Sequence, residues 1–155
     1  MARYVLDAPT LLHLVAQRAA VHADHRLVAP VLVRSQALAL LLTAVRRGEL
    51  TEPEALRQHE RLTGLKVRLL GDRVSRRTAW QVARAQDWET TTDAEYVAVT
   101  RLQADALVTI DPAMAARCAG LVPLAPFEAL LTGDRPGTPE GGPSAGATPA
   151  DLPAG

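Results

Sequence analysis

The 155-residue chain has one cysteine, Cys118, so no internal disulfide can form. Its first residues lack a basic-plus-apolar leader pattern, and together these absences predict a cytoplasmic protein in a reducing compartment. Cys118 has no base near it in sequence and reads as a small buried apolar residue. Aromatic residues are scarce: two Trp, two Tyr and one Phe are too few for an aromatic-rich stacking surface, so Trp80 and Trp88 are expected to be packing residues. Net charge is absent as well. With 17 basic and 17 acidic residues, bulk charge does not point to nucleic acid. No run reaches the ~18 consecutive apolar residues of a membrane helix. There is no internal repeat, no P-loop, no G-x-G-x-x-G, no G-x-S-x-G and no Cys/His zinc spacing.

What is present is a regular alternation of apolar strands and helical runs. The hydrophobic content of 48% suits a globular core, and the length suits one domain. The pattern predicts an α/β fold, a central parallel sheet flanked by helices, over residues 1–132. Strands are expected near Arg3–Leu6, Arg26–Val28, Lys66–Leu70, Ala106–Ile110 and Leu121–Leu124. Helices are expected at Pro9–Ala20, Val31–Arg47, Thr51–Leu62 and Ser75–Arg84, then Ala94–Gln103, a short one after Asp111, and a last turn at Phe127–Leu131. The two helices between about 31 and 64 should form an antiparallel hairpin. The first carries so many Leu, Val and Ala residues that it is expected to be buried on most sides. Thr51 with Glu54 forms a capping box and Gly64 is a stop signal. From Gly133 onward the chain is rich in Pro, Gly and Ala without an apolar period, the composition of a disordered tail over 133–155.

Three aspartates stand where this architecture concentrates chemistry. Asp7 ends the first strand, just before Pro9 opens a helix. Asp111 follows the strand 106-ALVTI-110 and precedes Pro112, again a helix start. Asp93 lies in the first turn of the helix that follows Thr92, where Thr92 and Glu95 are expected to form a second capping box and the backbone amides favour an anion. In an open parallel sheet, strand-to-helix junctions share one edge, outside the carboxyl ends of the strands, and ligands bind there near the point where the strand order reverses. The three acids are therefore candidates to converge. Aspartate is also a good N-cap, which accounts for any one of them locally.

Charge is unevenly distributed along the chain. The stretch 66–84 holds Lys66, Arg68, Arg73, Arg76, Arg77 and Arg84 against Asp72 alone, while residues 87–111 hold six acids against Arg101. Arg73, Arg76 and Arg77 are candidate phosphate contacts. The H-x-D-H stretch of His22, Asp24 and His25 reads as a solvated loop.

Four short motifs resemble one family in order and spacing. The opening YVLD with Asp7, the pair Ser35-Gln36 in the long helix, 93-DAEY-96 and 109-TID-111 look like the PIN-domain ribonucleases, and closest to the VapC-type toxins of bacterial toxin–antitoxin pairs. The resemblance covers nearly all of residues 3–131 and implies a PIN-like three-layer fold. It also implies a metal-dependent endoribonuclease that cleaves single-stranded or structured RNA, the toxin of a type II pair. By resemblance, Asp7, Asp93 and Asp111 take the catalytic and metal positions for Mg²⁺ or Mn²⁺. Thr109 takes the hydroxyl position before the last acid, with Ser35 and Gln36 beside the metal site. The implied partners are RNA, a cognate antitoxin protein and a second copy of the chain. One position departs from the pattern: family members usually carry glutamate after the serine, and here Gln36 brings no charge to a hard cation. The alternative reading is a PIN-like module that binds RNA or protein without cutting. A phosphatase of another α/β family is disfavoured because 7-DAPT-10 lacks a second early aspartate.

Overall fold

A computed structural model describes residues 1–133, so the segment 134–155, most of the expected tail, lies outside the described residues. Five strands, β1 (Arg3–Leu6), β2 (Arg26–Pro30), β3 (Val67–Leu70), β4 (Ala106–Val108) and β5 (Leu124–Ala125), form one sheet. Its order is β3-β2-β1-β4-β5, and every neighbouring pair is parallel. Six helices flank it: α1 (Ala8–Ala16), α2 (Val33–Arg46), α3 (Glu52–Thr63), α4 (Arg73–Ala85), α5 (Thr92–Gln103) and α6 (Pro112–Cys118). A 3₁₀ turn, Phe127–Leu130, follows β5.

The connections dictate the layers. From β1 the chain moves outward through α1, α2 and α3 to the β3 edge, then returns through α4 and α5 across the whole sheet to β4. Right-handed crossovers in opposite directions put the two helix sets on opposite faces. The packing agrees: α1, α2 and α3 contact one another, whereas α5 lies against α4, β1, β2 and β4. β1, β2 and β4 are buried almost without a polar residue, Tyr4, Val5, Leu6, Val28, Ala29, Leu107 and Val108 among them, as expected of strands covered on both sides. The strand order reverses between β1 and β4, and this reversal positions the candidate site.

Several local expectations are corrected by packing. α1 ends at Ala16 rather than Ala20, because Arg18 adopts a positive φ of 50° and turns the chain toward β2. α2 buries only Val33, Ala37 and Leu41; Leu38, Leu40 and Leu42 are exposed, since the hairpin with α3 covers one face only. Asp72, not Ser75, caps α4 by accepting from the Ser75 amide at 3.0 Å. Trp80 is 64% exposed: α4 meets α5 through the small residues Ser75, Ala79, Val82 and Ala83, which leaves no room for an indole on that side. β4 stops at Val108 and the last strand is Leu124–Ala125 rather than Leu121–Leu124.

The H-x-D-H loop also differs from its solvated reading. His25 is 5% exposed, its ring stands edge-on to Tyr4 at 5.0 Å, and its Nε2 meets the Thr132 carbonyl. With the His22 amide donating to the Leu130 carbonyl at 2.9 Å, it fastens residues 130–132 to the amino end of the sheet.

Candidate active site

β1 and β4 end side by side, and two hydroxyls join their ends. Asp7 leaves β1 with an extended backbone and caps α1, accepting from the Thr10 amide at 3.2 Å and from the Thr10 hydroxyl. Its second oxygen, Oδ2, accepts from the Thr109 hydroxyl at 2.6 Å. The network closes on β4's side: Ile110 N–H donates to Thr10 Oγ1 at 2.9 Å and Asp111 N–H to Thr109 Oγ1 at 3.1 Å. Both hydroxyls donate to Asp7; that of Thr10 accepts from the facing segment and that of Thr109 from the amide two residues on in its own, so the two strand ends cannot separate without orphaning buried groups. Thr10 was not anticipated as part of this network, although its D-x-x-T spacing from Asp7 is the ordinary signature of a capping hydroxyl.

Asp7 is 4% exposed. Burial pushes its pKa above the ordinary carboxylate value; the Thr10 and Thr109 hydrogen bonds oppose this, and the charge of Asp111 adds to it. Asp111 caps α6 by accepting from the Ala113 amide at 3.0 Å. Asp93 reaches the same place from α5. Its Oδ2 accepts from Arg117 Nη1 of α6 at 2.6 Å, and that guanidinium lies 5.0 Å over the Trp88 ring. Trp88 thus packs as expected, while Arg117 is a site residue that the sequence reading missed. Its signal was weak: it lies one turn beyond Met114 on the α6 face that begins at Asp111.

Asp7, Gln36, Asp93, Tyr96, Asp111 and Arg117 all line one open cavity of about 450 Å³ at the carboxyl edge of the sheet. Three segments distant in sequence deliver the three aspartates to it. Gln36 reaches it from α2, and its Oε1 accepts a hydrogen bond from the Tyr96 hydroxyl of α5. Tyr96 entered the sequence reading only as the last residue of 93-DAEY-96, with no role at the site; its ring is buried, but its hydroxyl lies at the cavity three residues beyond Asp93, on the same helix face. Burial, followed by the charges of Asp7, Asp93 and Glu95, drives its pKa far upward, so it is a fixed donor and never an anion at neutral pH.

Other expected site residues fall elsewhere. Ser35 faces away from the acids and lines a separate groove of about 400 Å³ between α2 and α3, with Leu38, Leu42 and Leu56. One residue's step around a helix is ~100°, and here that step separates Ser35 from Gln36, which lines the cavity of the acids. Arg73, Arg76 and Arg77 are exposed on the first turns of α4 and do not line the cavity. The second capping box does not form: α5 begins at Thr92, Thr91 occupies the cap position without a side-chain bond, and Glu95 is half-buried, its pKa raised by desolvation.

No protein-family model and no curated protein matches this chain. Among solved structures it is similar to the crystal structure of PAE2754 from Pyrobaculum aerophilum. That superposition has a TM-score of 0.62 and 23% identity, and it covers 84% of this chain and 94% of that one. What the two share is the fold.

Oxygen donors of this kind suit Mg²⁺ or Mn²⁺, which take carboxylates and keep several waters. Among the described residues, no three His, Cys, Asp or Glu side chains stand ready as they are to hold a metal ion. Each of the three aspartates is engaged elsewhere: Asp7 faces two hydroxyls, Asp111 caps its helix and Asp93 pairs with Arg117. The Asp93–Arg117 pair is partly exposed, with side-chain exposures of 28% and 49%. Such pairs contribute no more than about 1 kcal/mol, so a divalent ion can displace the arginine. The donor set therefore fits, with Arg117 as the group that must move.

Thr109→Val tests how far the hydroxyl network supports these donors. The substitution leaves Asp7 Oδ2 and the Asp111 amide without their shared partner. Loss of such a supporting group is expected to weaken Mn²⁺ binding by roughly 10- to 100-fold. Isothermal titration with Mn²⁺ reads this directly, and an unchanged isotherm would mean that Asp7 is not positioned by Thr109.

Proposed function

We propose that the protein is a Mg²⁺- or Mn²⁺-dependent endoribonuclease of the PIN type, acting on single-stranded or structured RNA. One observation carries the reading: Asp7, Asp93 and Asp111, from three separate segments, line a single cavity at the carboxyl ends of the strands where the sheet order reverses. The VapC-like motifs support the narrower reading of a cytoplasmic toxin whose partners are RNA, a cognate antitoxin protein and a second copy of itself.

In this reading Asp7, Asp93 and Asp111 would hold the cation, which when bound supplies an activated water and offsets charge on the phosphate. The chain's own groups do the rest. Thr10 and Thr109 hold the buried Asp7 carboxylate in one orientation. Tyr96 holds Gln36 at the cavity wall. Arg117, once displaced from Asp93, remains at the cavity with its planar donors free for a phosphate oxygen, while Trp88 keeps it from swinging away.

Incubation with single-stranded and hairpin RNAs at millimolar Mn²⁺ should yield internal cleavage that EDTA abolishes. RNA left intact under all divalent conditions, by protein that binds Mn²⁺, would remove the nuclease reading. A specific observation favours a second one: the residue at the cavity that could add a fourth negative charge is the neutral Gln36. On that basis the site is a weak metal binder in a module that engages RNA or protein without cutting it.

A further inference from the structure

The outward face of α4 is a separate feature that the cavity does not use. At about 100° per residue, Arg73, Arg77, Trp80 and Arg84 fall within an arc of roughly 60°, opposite the buried Ser75, Ala79 and Val82. They form a row about 16 Å long at ~1.5 Å rise per residue. Arg76 stands beside it, close enough to Glu95 of α5 to oppose the rise that desolvation imposes on that carboxyl's pKa. No Asp or Glu occurs from Arg73 to Ala85. None of the four arginines takes part in an ion pair among the described residues.

A single exposed aromatic residue would need no explanation. Trp80 differs because it is 64% exposed and sits one helical turn from Arg76, Arg77 and Arg84, on a helix that carries no acid of its own. A flat indole within a line of unpaired guanidinium groups is the combination that binds single-stranded nucleic acid: cations follow the backbone and the ring takes a base. An acidic protein segment would use the charges but not the ring. The row also has a direction. Arg73 begins where β3 ends, at the same carboxyl edge as the cavity, and α4 packs along α5, the helix that carries Asp93.

We infer that α4 is a docking face for single-stranded RNA, with Trp80 as a base-stacking platform and Arg73, Arg77 and Arg84 as phosphate contacts. The inference deepens the nuclease reading but rests on groups outside its cavity. Its test is therefore made without divalent cation: full-length protein is titrated into a fluorescein-labelled 12-residue oligouridylate in EDTA, over a range of salt concentrations.

Trp80→Ala should weaken binding roughly ten-fold and remove the change in intrinsic tryptophan emission that accompanies it. The triple change Arg73→Gln, Arg77→Gln and Arg84→Gln should lower the slope of log affinity against log salt by about 2, at ~0.7 per single-strand phosphate contact. All four positions are exposed, and an unchanged circular dichroism spectrum confirms folding. Wild-type affinity and slope in both variants would overturn the inference. A polyglutamate peptide that competes fully, with no effect of Trp80→Ala, would also overturn it and assign the face to an acidic protein. Cleavage that persists in both variants with unaltered binding sinks the docking face alone. Binding that follows the expected pattern in a protein that never cleaves sinks the nuclease reading alone.

Discussion

Asp7→Asn is expected to abolish divalent-ion binding and RNA cleavage while making the metal-free protein more stable at neutral pH. The two effects have one cause. Asp7 is buried, next to Asp111, and its pKa is raised by desolvation, so its charged form is costly until a cation arrives. An acid with a raised folded pKa favours the fold below the ordinary carboxylate range, and that contribution is lost as pH rises through the folded value. The neutral amide does not titrate. Asp7→Asn should therefore match or fall below wild type in mild acid and exceed it above the shifted pKa, by a few degrees in melting temperature, about what 1 kcal/mol moves in a domain of this size. The amide oxygen can still accept from Thr10, which keeps α1 capped.

Adding Mn²⁺ should invert the comparison. Saturating wild type at about 100 times its dissociation constant contributes roughly 2.7 kcal/mol of stability, whereas the variant gains nothing. Cleavage should fall by at least about 10²-fold, since the loss of a direct ligand exceeds the 10- to 100-fold cost of losing a supporting group. Differential scanning fluorimetry from pH 4 to 8, with and without Mn²⁺, reads stability, and gel assays read cleavage. A variant that is less stable at pH 7 without metal would mean that the Thr10 and Thr109 hydrogen bonds outweigh the desolvation of Asp7. A Mn²⁺-induced shift that survives in Asp7→Asn would place the metal elsewhere.

Gln36→Glu is expected to act in the opposite direction. Gln36 lies at the cavity and its Oε1 accepts from Tyr96, a bond that a carboxylate oxygen retains, so the change adds charge with little change of shape. Mn²⁺ affinity should rise about ten-fold, the equivalent of ~1.4 kcal/mol for one added charged ligand. The metal-free protein should lose stability near neutral pH, on the order of 1.4 kcal/mol for each pKa unit imposed on the new carboxylate or its neighbours. That penalty should shrink as pH falls through the raised pKa of Asp7, and metal should reverse it. Cleavage by the variant should exceed wild type at low Mn²⁺ and approach it at saturation. A silent wild type beside an active variant would instead favour the non-cutting module. If neither metal affinity nor metal-free stability changes, Gln36 plays no part in the site despite its position.

Much of the fold was legible in the sequence because burial on both faces of a parallel sheet leaves a strong trace. The apolar runs at β1, β2 and β4, the Asp-Pro helix starts at Asp111 and, one residue removed, at Asp7, and the Thr51 cap all follow local rules. The same rules located Asp7, Asp93 and Asp111 at strand and helix ends before any tertiary information. Periodicity failed where one helix covers another with small residues. Trp80 was expected inside, yet the close approach of α4 and α5 through Ala79 and Ala83 turns it outward. The leucines of α2 were expected to be covered, but α3 shields one face only.

The order β3-β2-β1-β4-β5, which makes Asp7 and Asp111 neighbours, is a product of crossovers spanning about a hundred residues, and no local pattern encodes it. The same holds for Thr10 and Thr109 meeting across two strand ends, for Tyr96 on Gln36 and for Arg117 on Asp93. Sequence by itself determined which residues could be anions at junctions. Tertiary structure decided which of them share one cavity and that Asp7 alone is buried there, because the cost of a buried charge depends on the groups that long-range packing brings within hydrogen-bond reach.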